Sequence, residues 1–324
     1  MNRRSFSLAA CAALSLGLAS GAMAEAAYPS KPVRIIVGYS AGGPTDLVAR
    51  MIAVHMQTRL GQPFIVDNRP GAGSNIASEA VAAAPADGYT LLVAAAPLTM
   101  NSYVYKKLKF DAVKSFTPIS KLSSSPGVLA VRPDLGVGNV KELIALAKKE
   151  PGKLTFGTTG LGGSQHMATE LLQRLTGMQL THIPYKGASN VMTDLIAGHV
   201  DLAFVSASGA MPHLQAGKVK SLAVAGPLRL SGLADVPTFA QAGFPAMVSD
   251  SWNGLLAPVG TPPAIVKKLH AAAVEALQTP EIKAKLESLG AIVIGNSPEE
   301  FRGDIQREVA QWGEQFKTIK IDTQ

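Results

Sequence analysis

The chain has 324 residues, of which 47% are hydrophobic, 16% charged and 6% aromatic, with one cysteine and a formal charge of +7. This composition excludes a disordered, collagen-like or disulfide-stapled protein, and at about 150 residues per domain the length suggests two domains. The basic residues form no run of five or six and are not interleaved with aromatics, which argues against nucleic-acid binding.

Residues 1–24 read as a secretory signal peptide. Arg3 and Arg4 precede an apolar run from Phe6 to Leu18, and Ala22-Met23-Ala24 supplies a small-x-small cleavage signal. The run is too short to span a bilayer, and no other segment reaches about 18 apolar residues. Arg3-Arg4-Ser5-Phe6 is a fragment of the twin-arginine pattern, and Leu8-Ala9-Ala10-Cys11 of a lipoprotein box, but cleavage after Ala24 fits better. Cleavage there removes two arginines and the only cysteine, leaving 28 basic against 23 acidic residues. The expected product is a periplasmic chain of net charge near +5 that holds together by its core alone.

From residue 33 the pattern alternates strands and helices. Residues 33–37 predict a buried strand, and 46–60 a helix with Leu47, Met51, Val54 and Met56 on one broad face. Strands at 64–66 and 91–94 flank a helix at 75–84, with Ser74 or Asn75 as its cap. A second series follows: strand 128–131, helix 140–149, strand 154–156, helix 164–176, strand 181–184, helix 188–197, and strands 201–205 and 219–225. Asn139 with Glu142 spells a capping box for the first of these helices. The Pro- and Gly-rich stretch 226–251 reads as a crossing between lobes. Strand 252–257, helices 263–278 and 280–289, strand 292–294 and helix 298–316 complete the chain, with Pro263, Pro280 and Pro298 each in a first helical turn.

The fold class expected is therefore α/β: two Rossmann-like lobes with largely parallel sheets, joined by two crossover strands. The division is 25–122 with 228–324 as lobe 1 and an inserted lobe 2 at 123–227. Ligands of such sheets bind at the carboxyl ends of the strands, here the crevice between lobes.

Two glycine-rich loops stand at those ends. Gly38-Tyr39-Ser40-Ala41-Gly42 fits the G-x-S-x-G nucleophile elbow, so a serine hydrolase using Ser40 is one reading. However, little chain precedes it to supply an oxyanion-hole amide, and none of His166, His199, His213 or His270 is singled out as a base. The simpler reading is an anion cradle in which Gly42 and Gly43 expose amides at a helix start and Asp46 fixes the loop from the first turn. Residues 157–164 repeat the device with Thr158, Thr159, Gly160 and Ser164, lacking both the dinucleotide spacing and a P-loop lysine. The candidate ligand contacts in the first lobe are Tyr39, Ser40, Gly42, Gly43, Asp46 and Asn75. Those in the second are Thr158, Thr159, Gly160, Ser164, His166 and Ser206. His182 reads as a core histidine and Lys186 as a loop charge. No spacing suits a metal, and no cofactor is called for.

The chain resembles the Bug family, the solute receptors of tripartite tricarboxylate transporters. The likeness is carried by Tyr28-Pro29-Ser30-Lys31-Pro32-Val33-Arg34, Gly42-Gly43 with Asp46, Asp67-Asn68-Arg69-Pro70-Gly71-Ala72-Gly73, and Ala86-Asp87-Gly88-Tyr89-Thr90-Leu91. It continues through His182-Ile183-Pro184-Tyr185-Lys186-Gly187, Asp235-Val236-Pro237-Thr238 and Asn253-Gly254-Leu255-Leu256-Ala257-Pro258. Ser74 and Ala188-Ser189-Asn190 depart from the family's usual residues, and Asn190 bears on ligand identity. The resemblance implies a two-lobed, type II-like periplasmic binding protein fold and a non-enzymatic, monomeric periplasmic receptor whose lobes close on a small organic carboxylate and present it to membrane permease subunits. A sensor that reports the same closure to a signalling domain is the remaining alternative.

Overall fold

The computed structural model describes residues 28–161 and 163–316; the expected signal segment, with Cys11, and Gly162 lie outside them. Among the described residues ten strands form one continuous mixed sheet in the order 64–68, 33–37, 90–95, 250–258, 116–131, 202–206, 155–158 and 181–184, with 220–225 and 292–293 also pairing with 116–131. The first half comprises β1 (Val33–Val37), α1 (Pro44–Leu60), β2 (Phe64–Asn68), α2 (Asn75–Ala82), β3 (Thr90–Ala95) and α3 (Pro97–Val104). β4 (Phe116–Val131) then crosses into the second half: α4 (Val140–Lys149), β5 (Thr155–Thr158), α5 (Ser164–Thr176), β6 (Thr181–Pro184), α6 (Ala188–Ala197), β7 (Leu202–Ser206), α7 (Ala207–Gln215) and β8 (Lys220–Ala225). β9 (Asp250–Pro258) returns the chain to α8 (Pro263–Gln278), α9 (Pro280–Ser288), β10 (Ile292–Val293) and α10 (Pro298–Gln315).

Period-two burial explains why each half holds together. In the first, Ile35, Leu91 and Leu255 join one apolar cluster while their neighbours Ile36, Leu92 and Leu256 join another on the opposite face. In the second, Leu129 and Phe204 pack on one face and Val128, Ala130 and Val205 on the other. Strands buried on both faces and connected through helices pair in parallel, as β1 does with β2 and β3, and β5 with β6 and β7.

The crossing strands are the exception to the expected parallel sheet. β4 pairs antiparallel with β9 over Phe116–Pro126 and, from Gly127, antiparallel with β7 and β8. One sixteen-residue strand thus belongs to both halves, and Lys121 with the serines at 123–125 disguises it in the sequence. The stretch 226–249 does not cross. Thr238 bridges Val224, and Phe239 and Met247 join the second half's core, so the return crossing is β9 itself.

Further departures have local causes. In α1 the buried stripe is Val48, Ile52 and Met56, with Leu47 38% and Val54 71% exposed; only Met56 of the expected face lies in the core. Asn139 caps α4 through Glu142, but the glutamate reaches back to the Gly138 amide, not to that of the cap. The full capping box is Ser297 with Glu300, before α10. α3 and α7 have no sequence-level signal, since both are short and hidden by small residues.

Candidate functional site

A cavity of about 30 Å³, room for about two waters, lies between the halves against the floor made by β4 and β9. The first turns of five helices reach it. Gly43, Pro44 and Thr45 open α1, Pro97 opens α3, Gln165 stands in the first turn of α5, Ala188 starts α6, and Ser206 and Ser208 flank the start of α7. The floor adds Ser125, Ser251 and Asn253. Among the described residues no acidic, basic or histidine side chain lines it. First-turn amides and the positive ends of five helix dipoles therefore set the local field, which favours an anion without a cationic side chain.

The first loop is held from behind. Asp46 is 1% exposed and accepts hydrogen bonds from the Gly42 amide at 2.8 Å, from Arg50 Nε at 2.9 Å and from Asn68 Nδ2 at 2.9 Å. Asn68 also donates to the Tyr39 carbonyl at 3.0 Å. Burial pushes the Asp46 carboxyl up, yet the bonds from Arg50, Gly42 and Asn68 outweigh it and hold the group below the usual carboxylate range. Gly42 takes φ +78°, a conformation the turn needs and other residues resist.

Of the residues expected from sequence, Tyr39, Gly43, Thr159 and Ser206 line the cavity. Ser40 stands at its edge, where its hydroxyl donates to Asn190 Oδ1 of the other half at 2.8 Å; Ser189 reaches the Ala41 carbonyl at 3.4 Å beside it. Ser40 thus meets an amide oxygen, with no imidazole in the place a hydrolase's base would take. Gly42 and Asp46 shape the loop from outside the cavity.

The others go elsewhere. Asn75 is buried and accepts from Asn101, and neither it nor Ser74 caps α2 through its side chain. Thr158 hydrogen-bonds His182 Nε2 at 2.6 Å, and His166 stacks on His182 with ring centroids 4.2 Å apart, so Thr158 and His166 belong to the packing of the second half. Burial, and then His166, pull His182 down to about 4. Gly160 lines a neighbouring cavity of about 240 Å³, together with Gly71, Ala72, Gly73 and Ser74. Ser164 faces a rear cavity of about 520 Å³ behind the crossing strands.

Sequence reasoning missed Ser125, Gln165, Ala188, Ser208, Ser251 and Asn253. The one available signal was the polar interruption of two otherwise apolar strands, Ser123-Ser124-Ser125 in β4 and Asp250-Ser251 with Asn253 in β9. Residues alternate along β9, so Ser251 and Asn253 face the inter-lobe cavity while Asp250 and Trp252 face the rear one.

A family model described as the tripartite tricarboxylate transporter family receptor matches residues 48–321. Among solved structures, the periplasmic binding protein BugD is 34% identical with a TM-score of 0.88, covering 92% of this chain and 100% of that one. R. palustris Rpa4515 with adipate is 36% identical with a TM-score of 0.87, covering 90% and 98%. MatC from Rhodopseudomonas palustris with bound malate is 33% identical with a TM-score of 0.84, covering 89% and 100%.

Proposed function

Because the chain belongs to the tripartite tricarboxylate transporter receptor family, we propose that it is a periplasmic receptor that closes two lobes on a small organic carboxylate and delivers it to a membrane permease. The observation that carries this reading is the convergence of five helix starts on an uncharged cavity at the lobe boundary. Neutral donors hold a carboxylate without the desolvation cost of a buried lysine or arginine, which keeps release easy. Adipate and malate bound to two relatives support a carboxylate as the solute class. Export is supported by the leader-like residues 1–24 and by the likeness to periplasmic BugD.

In this reading the receptor acts as a monomer without cofactor. We take the second lobe to run from about residue 123 to 249, since Phe239 and Met247 pack with it. Closure is a hinge equilibrium on β4 and β9, shifted by the solute only through its differential affinity for the two states.

The test is native mass spectrometry of the freshly purified protein, followed by thermal-shift screening against carboxylates. An acid that co-purifies and raises the melting temperature is expected, and Ser206→Ala should weaken it about tenfold. If no carboxylate moves the melting curve, the reading fails.

A further inference from the structure

The cavity carries more information than its taste for anions. Asn253 is 5% exposed, on the floor strand β9, and its Oδ1 is buried with no hydrogen-bond partner among the described residues. Its Nδ2 reaches only Ser123 Oγ, at 3.4 Å. A buried acceptor left unpaired costs about 1–3 kcal/mol, and natural folds satisfy such groups almost everywhere. At a binding cavity, the unmet acceptor points to a donor that the solute supplies.

The donor's charge follows from what the cavity lacks. An ammonium buried there would meet no carboxylate. Asp46 is saturated by Gly42, Arg50 and Asn68, and Asp250 and Glu308 face the rear cavity. An ammonium at this place is left without a counter-ion, whereas a hydroxyl carries no such penalty. Asn253 and the starts of α1 and α7 line one and the same cavity, so the solute's donor and its carboxylate lie side by side there. Resting on the receptor reading above, we infer that the solute is a 2-hydroxy acid, its hydroxyl donated to Asn253 Oδ1 and its adjacent carboxylate held by the helix starts; Asn253 sets this specificity.

The experiment is titration calorimetry of the purified protein, freed of co-purified solute, against matched acids of three to six carbons. Each is taken in unsubstituted, 2-hydroxy, 2-amino and 2-oxo form. At the best-fitting length the hydroxy acid should bind about a hundredfold tighter than the unsubstituted acid and tighter than the amino and oxo acids. Asn253→Leu should bring the hydroxy and unsubstituted acids to within about threefold of each other while the unsubstituted acid still binds. Asn253→Asp, which places a counter-ion on the floor, should move the preference to the amino acid.

An unsubstituted, amino or oxo acid that binds the wild type as well as the hydroxy acid overturns the inference and leaves the receptor reading intact. An unchanged ranking in Asn253→Asp overturns it even where the leucine variant does not fold. Absence of binding by every acid of every length overturns both together.

Discussion

At the scale of single residues, two titratable groups set two separate pH windows. In the unfolded chain His182 titrates near 6.5, whereas in the fold it is pulled down to about 4. Between these values the unfolded chain takes up a proton that the folded one refuses, so stability falls as the pH drops through that window. Asp46 acts lower. Its folded carboxyl is held below its usual range, so it contributes fully above about pH 4 and the contribution is lost as acid protonates it. Melting curves from pH 8 to 3 should show His182→Gln flattening the upper part of the acid limb and Asp46→Asn flattening the lower. The Asp46 variant should also lose about 1–3 kcal/mol at neutral pH, because Gly42, Arg50 and Asn68 all lose their shared acceptor. Asp46 could be read from the sequence because its partner amide lies within the same loop. Asn253 could not, because the polar interruption of its strand does not tell a cavity-facing residue from an outward-facing one until the other lobe is in place.

At the scale of elements, the approach to α2 concentrates strain. Four successive residues take positive φ, namely Gly71 at 134°, Ala72 at 47°, Gly73 at 60° and Ser74 at 77°, and two of these are not glycine. Such conformations persist where the surroundings over-determine them. Here Gly38 packs so closely on Ser74 that a side chain at residue 38 would collide with it. Ala72 is exposed and meets no such constraint, so Ala72→Gly should raise stability by about 0.5–1 kcal/mol in chemical denaturation, a reversal of the usual effect of glycine. If Ala72→Gly destabilises instead, the left-handed backbone there is not strained. Apart from α3 and α7, the helices and the parallel strands were legible because their apolar periods are local and strong. β4 was not, because a strand shared by two lobes changes partners at Gly127 and carries Ser123, Ser124 and the cavity-lining Ser125 just where a continuous apolar run would have marked it.

At the scale of the whole molecule, glycine governs how closely the lobes approach. Gly187 has extended backbone that any residue adopts, yet a side chain there would lie 2.9 Å from the Ser40 amide of the opposite lobe; at Gly209 it would lie 2.9 Å from Pro44. Gly187→Ala should therefore fold normally but close incompletely. Its melting temperature without solute should match wild type within about a degree, solute affinity should fall about tenfold or more, and the solute-induced decrease in radius of gyration by small-angle scattering should shrink. A variant that closes and binds like wild type would show that these lobe contacts do not limit closure. The same crossing pair that floors the binding cavity also walls the rear one, and both tryptophans of the chain, Trp252 and Trp312, stand there facing α5 of the second lobe. Trp252 donates its indole proton to the half-buried Glu308 at 2.8 Å, so its emission is tied to one hydrogen bond beside the hinge. Every rocking of the lobes moves a wall past both indoles, which makes the unlabelled protein its own optical gauge of occupancy, readable in a cuvette without dye or engineered cysteine.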